Sequence, residues 1–107
     1  MTKEQLRDHL LRQLGVLGAG QTATADDAEL VEQIIDNCQA ELEQLEIALW
    51  PVDDVPNYAV ESFVLYCKGS TTAFGMEYDP ALREFAKKQL RELTADRRTD
   101  TGTATYF

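Results

Sequence analysis

The stretch DDAELVEQIIDNCQAELEQLEIAL, residues 26–49, carries the strongest structural pattern in this sequence. Its apolar residues recur at intervals of four, three, four, three and four, which places them along one side of a helix. The members of this seam are Val31, Ile35, Cys38, Leu42, Leu45 and Leu49. Because fewer than four heptads are present, the pattern favours a helix within a bundle over a two-stranded coiled coil. Leu30, Ile34 and Ile47 widen the stripe and predict that the helix is covered on more than one side.

Helices are also predicted on both sides of this stretch. Residues 3–14 repeat leucine at helical spacing, Thr2 and Gln5 have capping-box form, and Gly15 is a natural stop. Thr24 or Asp26 can cap the long helix. The intervening segment, residues 15–27, contains three glycines but no preceding strand and no Gly-Lys-Ser/Thr, which favours a helix connection over a phosphate-binding loop.

Proline and glycine delimit two more helices after Pro51. The third spans residues 57–74, with Pro56 at its first position, Asp54 near its cap and Gly75 as its stop. Gly69 lies inside it, which indicates that another backbone approaches closely, within the bundle or across a subunit contact. The fourth begins at Asp79 and Pro80 and loses its periodicity after Thr94; its predicted apolar face consists of Leu82, Phe85, Ala86, Leu90 and Leu93.

These patterns predict an all-α protein, a four-helix bundle of uneven helices with an extended C-terminal arm. We assign residues 1–95 to the helical domain and residues 96–107 to the arm. The N-terminal segment is charged and amphipathic, so we do not expect a signal peptide, and no apolar run is long enough to suggest a membrane span.

The charge balance bears on the possible partners. The chain has 19 acidic and 10 basic residues, a net charge of −9. A protein that grips nucleic acid must neutralise phosphates with Lys and Arg, so specific DNA binding is not expected. An acidic surface would instead let DNA pass without adhering, because like charges repel.

The sequence does not predict an active site. His9, the sole histidine, is expected to be a solvated surface residue, and Cys38 and Cys67 are expected to be reduced core residues. No metal-ligand pattern is present, so neither a metal nor a cofactor is expected. The carboxylates Glu41, Glu43, Glu46, Asp53 and Asp54 are interpreted as a solvated acidic face.

Two features suggest contacts with other proteins. Trp50 either closes one end of the bundle or anchors an interface, and we slightly favour the first alternative. The C-terminal arm ends in two aromatic side chains that suit an apolar pocket, although a frayed terminus is the alternative. The arm residues predicted to contact a partner are Arg97, Arg98, Thr101, Thr103, Thr105, Tyr106 and Phe107.

The order of these motifs resembles the head-to-tail adaptor, or head-completion, proteins of tailed bacteriophages. The resemblance covers roughly residues 5 to 93 and is carried by the first helix ending QLGV, the Pro-Asn-Tyr start of the third helix, and AFG after it. It is greatest to the branch found in short-tailed phages, whose C-terminal extensions are longer than this one.

The resemblance implies a structural virion protein at the head-tail junction, made in the host cytoplasm and not an enzyme. It implies a ring, typically of twelve copies, that docks on the portal protein through the C-terminal arm and meets a downstream tail protein. Packaged DNA would pass through the ring without specific binding. The candidates for subunit contacts or for the channel wall are Glu43, Glu46, Trp50, Asp53 and Asp54. The competing hypothesis is a cytosolic regulatory helical bundle that binds one protein partner.

Overall fold

The computed structural model describes the backbone of residues 1–18 and 20–102, and the side chains of these residues as far as residue 95. This part of the chain forms four α-helices and contains no strand: α1 Lys3–Gln13, α2 Ala25–Gln44, α3 Asn57–Ser70 and α4 Pro80–Gly102. The prediction of an all-α protein built from four helices of uneven length is confirmed.

Helix α3 is the central element. It packs most extensively on α4, while α1 and α2 pack on each other and on α3. The chain directions of α3 and α4 are opposite, since Asp79 N donates to Gly69 O at 2.8 Å and Ser62 Oγ bonds Gln89 Oε1 at 3.0 Å. The largest fully buried side chains come from all four helices and include Leu6, Leu10, Leu11, Ile35, Leu42, Phe63, Tyr66 and Leu90.

Three of the four helix starts follow the capping signals in the sequence. Thr2 Oγ1 accepts from Gln5 N at 3.2 Å, and Gln5 Oε1 accepts from Thr2 N at 3.0 Å, which completes the capping box. Thr24 caps α2 by accepting from Asp27 N at 3.2 Å. Asp79 Oδ1 accepts from Leu82 N at 3.1 Å at the start of α4. Each bond satisfies a backbone N–H that has no partner within its own helix.

The predicted end of α2 at Leu49 is wrong, because the helix stops at Gln44. Glu46 adopts a left-handed conformation with φ 58°, Ile47 N bonds Leu42 O at 2.9 Å, and Glu46 N bonds Glu43 O at 3.0 Å. These two bonds define a Schellman motif, which usually has glycine at the left-handed position. The buried seam therefore ends at Leu42. Leu45 is 45% exposed and Leu49 is 61% exposed, although the heptad pattern predicted that both are buried.

Helix α3 also differs from prediction at both ends. It begins after Pro56, which occupies the N-cap, and no side chain caps it, so the expected role of Asp54 is wrong. It ends at Ser70 instead of near residue 74. Phe74 and Gly75 have φ angles of 58° and 75°, and Met76 N bonds Ala73 O at 3.1 Å. Gly75 therefore belongs to a tight turn with two left-handed residues and does not terminate the helix.

Helix α4 continues eight residues beyond Thr94, so its predicted end is wrong. The residues after Thr94 include good helix formers, and the next glycine is Gly102. Arg97, Arg98 and Thr101, which we predicted in an extended arm, consequently lie on helical backbone. Thr103, Thr105, Tyr106 and Phe107 lie outside the described residues. Phe85, predicted on the apolar face of α4, is 53% exposed.

Gly69 meets the expectation of close backbone approach. A Cβ atom at this position would lie 3.0 Å from both Arg83 N and Asp79 O, and 3.1 Å from Arg83 Cγ. The neighbouring backbone is the start of α4, so the close approach is within the bundle. This contact positions α4, and with it Arg83, against the last turn of α3.

Candidate interaction surface

The segment that links α2 to α3 presents carboxylates and leucines to solvent together. Leu45 and Leu49 are exposed because the Schellman motif turns Ile47 and Ala48 into the core in their place. All four predicted carboxylates of this region are exposed as well. We call this set the acidic-apolar surface, and its members are Glu43, Leu45, Glu46, Leu49, Asp53 and Asp54.

Charge is strongly segregated along the chain. From Gln13 to Cys67 the sequence contains eleven Asp and Glu residues and no Lys or Arg. The middle of α2 has cationic neighbours on α1, because Lys3 Nζ lies 2.9 Å from Asp36 Oδ1 and Arg7 Nη1 lies 3.7 Å from Glu32 Oε1. The charge of Asp53 also contributes to raising the pKa of Lys3, and the N-terminal ammonium of Met1 donates to Val55 O at 2.8 Å, so this side of the acidic-apolar surface has cationic neighbours. Within the described residues, no Lys or Arg forms a salt bridge with Glu43, Glu46 or Asp54.

Trp50 packs against the core instead of standing out from it. Its ring meets Phe63 edge to face, with the centroids 5.3 Å apart and the planes at 87°. The buried Gln39 holds the surrounding loop, since its Nε2 donates to Trp50 O at 2.7 Å and lies 3.5 Å from Ala48 O. Trp50 thus packs on the core and is partly exposed, which agrees with the alternative that we slightly favoured; its use as an interface anchor stays a prediction.

The sequence did not predict the group of side chains that contact Arg83. We call this group, Glu41, Tyr66, Tyr78 and Arg83, the Arg83 constellation. Arg83 Nη2 donates to Glu41 Oε2 at 2.8 Å and to the Tyr66 hydroxyl, and Nη1 donates to the Tyr78 hydroxyl at 2.7 Å. The guanidinium carbon also lies 4.8 Å from the Tyr66 ring centre and 5.4 Å from that of Tyr78. These contacts join α2, α3, the 71–79 segment and α4 through one cation.

Burial and hydrogen bonding together shift the pKa values of Arg83 and Tyr66. Burial opposes the charge on Arg83, but the hydrogen bonds that it donates to Tyr66 and Tyr78 and the charge of Glu41 outweigh this effect, so the pKa of Arg83 is raised. Burial raises the pKa of Tyr66, although the hydrogen bond from Arg83 acts in the opposite direction. Arg83 Nε is buried and has no partner within the described residues. The arrangement is that of a structural ion pair, with Tyr66 kept neutral.

The two cysteines are buried, and their thiols are free and adjacent. A hydrogen bond from Cys67 lowers the pKa of Cys38. Burial, followed by the contact with Cys38, raises the pKa of Cys67 well above its usual range. A thiol held neutral in this way is a poor nucleophile, because the thiolate is the reactive form.

His9 lies on α1, where its Nε2 is 3.1 Å from Glu61 Oε1 and its side chain is partly exposed. Across the described ranges, no group of three or more His, Cys, Asp or Glu side chains is arranged to hold a metal ion. No described helix combines the length and the hydropathy needed to cross a bilayer.

Of the predicted site residues, Glu43 at the end of α2 and Glu46, Asp53 and Asp54 in the link to α3 are exposed, while Trp50 packs on Phe63. The aromatic end of the predicted arm is outside the described residues. The roles of these residues in subunit contacts or a channel wall stay predictions. The Arg83 constellation joins residues 5, 17 and 42 positions apart, a spacing for which the sequence carries no periodic signal. Comparison with known proteins finds no matching family model, curated protein or solved structure.

Proposed function

We propose that this protein is a head-to-tail adaptor of a tailed bacteriophage, a structural component that forms a ring under the portal protein. The ring, of about twelve copies by analogy with the family that the sequence resembles, extends the DNA channel, retains packaged DNA and meets a downstream tail protein. The protein resides in the virion at the head-tail junction after synthesis in the host cytoplasm, and it has no catalytic role.

The observation that carries this proposal is the segregated negative charge of the acidic-apolar surface. Four exposed carboxylates occupy twelve consecutive residues, within a longer stretch that has no Lys or Arg. A surface with this excess of carboxylates repels phosphates, and the segment itself contributes no Lys or Arg to bind them. Facing a channel, Glu43, Glu46, Asp53 and Asp54 would let DNA slide past, while the leucines between them would be available to a neighbouring subunit.

The C-terminal region supplies the contact with the portal in this proposal. Helix α4 begins against Gly69 and runs to Gly102, so it forms a stiff base for the residues that follow. Tyr106 and Phe107 then anchor the chain in an apolar pocket of the portal, and Arg97 and Arg98 lie at the base of the arm. Many arms acting at once would bind with high avidity even if each contact is weak.

Deletion of residues 96–107 tests the role of the arm. We expect binding to the portal protein, measured by surface plasmon resonance, to be lost. The circular dichroism of the helices should decrease only slightly, since the deletion removes seven of the 23 residues of α4.

Point variants separate the arm's chemistry from its length. The double variant Y106S/F107S should lose portal binding, whereas F85S, which removes an exposed aromatic ring from the bundle, should retain it. Undiminished binding of the truncated chain would refute the docking role of the arm.

The alternative, a regulatory bundle with one protein partner, is favoured by a different observation. The described surface exposes several large apolar side chains outside the arm, namely Leu30, Leu45, Leu49, Tyr78 and Phe85. A partner that bound the bundle through these side chains, in a discrete small complex without the portal, would support this second function.

A further inference from the structure

The outward side of α4 combines an exposed aromatic ring with unpaired cations. Phe85 is 53% exposed, and Lys88 and Arg91 follow it at intervals of three residues, which places the three side chains along one side of the helix. Both cations are exposed, and neither forms a salt bridge within the described residues. Ala86 and Leu90 on the other side of α4 are buried in the core. We call Phe85, Lys88 and Arg91 the basic-apolar face.

The basic-apolar face and the acidic-apolar surface are complementary in both charge and apolar character. Residues 80–95 contain four Lys and Arg and two Glu, of which Glu84 is paired with Lys87 at 2.8 Å. The stretch that holds the acidic-apolar surface has eleven Asp and Glu and no Lys or Arg between Gln13 and Cys67. Each of the two surfaces also exposes large apolar side chains. The complement of each surface is therefore present on the same chain.

The two surfaces do not neutralise each other within one molecule. In the described part of the chain, no salt bridge links Lys88 or Arg91 to a carboxylate of the acidic-apolar surface. Both surfaces are held to one core by the buried Ile47 and Leu90, and Thr94 Oγ1 donates to Ile47 O at 3.1 Å. Because the bundle fixes their relative positions, a second copy of the chain is the partner that can match both.

We propose that copies of this chain associate head to tail, with the basic-apolar face of one copy against the acidic-apolar surface of the next. Phe85 packs on Leu45 and Leu49 in the middle of the contact, and the opposite charges of the two surfaces pair at its rim. Because the two surfaces differ, a pair of copies still has one of each free. A contact of this kind builds a ring when the rotation between copies closes.

The role of this contact as the subunit interface of a ring rests on the proposed function. The net charge of −9 makes copies repel each other at long range, so the contact is weak in the free protein. Docking on the portal would bring neighbouring copies side by side and raise their effective concentration. The adaptor would then assemble where the portal is present and stay largely dispersed elsewhere.

Sedimentation equilibrium of the full chain, from micromolar to millimolar concentration, tests the contact. We expect the weight-average mass to rise past that of a dimer, and F85S and L45S/L49S each to reduce the association constant at least several-fold. L30S is the matched control, because Leu30 is 40% exposed in the first half of α2 and outside both surfaces. A parent chain that stays monomeric or stops at a dimer would overturn the proposal, as would an equal loss in L30S.

A mixture of the two defective variants tests the polarity of the contact. F85S keeps an intact acidic-apolar surface, and L45S/L49S keeps an intact basic-apolar face, so one contact can form between them and no further copy can add. We expect a heterodimer that does not grow with concentration. A mixture that stays monomeric would contradict a head-to-tail contact.

Charge exchange tests the pairing at the rim. E43K/E46K should weaken self-association, although it changes the net charge from −9 to −5 and so reduces the general repulsion between copies. K88E/R91E should weaken it as well. The combined variant E43K/E46K/K88E/R91E has the net charge of the parent and should restore association. Stronger association of E43K/E46K, or no restoration in the combined variant, would contradict the pairing.

The failure of this inference is distinguishable from the failure of the proposed function. F85S leaves residues 96–107 intact, so single copies should still bind the portal protein while the contact between copies is lost. Removal of residues 96–107 should have the opposite effect, because the basic-apolar face ends at Arg91. Portal binding that survives this removal refutes the proposed role of the arm, whereas self-association of the parent chain is decided without the portal.

Discussion

Gly69→Ala tests how α4 is positioned against α3. In an isolated helix the change would stabilise by about 1 kcal/mol, because alanine is the better helix former. Here the new methyl group would lie 3.0 Å from Arg83 N and from Asp79 O, and backbone atoms cannot rotate away. Overpacking of this kind typically costs about 1–3 kcal/mol. Moving the helices apart would also weaken the 2.8 Å bond from Asp79 N to Gly69 O, worth about 1 kcal/mol.

The opposing contributions leave a net loss of about 1–3 kcal/mol in the free energy of unfolding. For a domain of this size, each kcal/mol lowers Tm by roughly 4–8 °C. Urea unfolding and calorimetry measure both quantities, with Gly18→Ala as the control. The three atoms nearest to a Cβ at Gly18 belong to the Gln21 side chain, which can move at the expense of one exposed hydrogen bond, so the cost should stay below about 1 kcal/mol. A Gly69→Ala protein as stable as the parent, or more so, would refute the close approach of the two helices.

Three further predictions concern the helix end, the arginine constellation and pH. Glu46→Gly should stabilise the fold by about 1 kcal/mol in urea unfolding, because Glu46 has φ 58° and glycine adopts this conformation without steric cost; Glu43→Gly, inside α2, should destabilise it instead. Arg83→Met should cost about 1–3 kcal/mol, because hydrogen bonds to Glu41, Tyr66 and Tyr78 are lost together, whereas the exposed Lys88→Met should be nearly neutral. Burial raises the pKa of Cys67 and of Tyr66, so both groups stabilise the fold fully below their unfolded pKa values and lose this contribution as pH rises beyond them. The lowered pKa of Cys38 acts in the opposite direction, but the larger shift of the buried Cys67 decides the sign. Stability should therefore fall above about pH 8.5, and Cys67→Ala should flatten the first part of this decline; an unchanged slope would contradict the assignment to Cys67.

The helix starts were predictable from sequence because capping is local chemistry. Thr2 with Gln5, and Asp79 with Pro80, place the side-chain acceptor within three residues of the N–H that it satisfies. The helix ends were less predictable, since α2 ends at a left-handed Glu46 instead of a glycine, and α3 ends at Thr71, which adopts an extended conformation that no glycine or proline marks. At Gly15, where glycine does occupy that position, the predicted end of α1 is within one residue of the observed one.

The exposed leucines follow from the missed helix end. A heptad pattern that continued to Leu49 placed Leu45 and Leu49 in the core, but the Schellman motif substitutes Ile47 and Ala48 for them. The Arg83 constellation required the tertiary structure, because Glu41 and Tyr66 come from other helices. Gly69 was a partial signal, as it indicated the close approach that brings the start of α4 to α3.

Size-exclusion chromatography with light scattering, on this protein alone and mixed with the portal protein of the same particle, tests the adaptor proposal most directly. We predict that the protein alone elutes as a monomer or loose oligomer, and that it joins a ring-sized complex with the portal through residues 96–107. A discrete small oligomer that ignores the portal would contradict the adaptor proposal and favour the regulatory bundle.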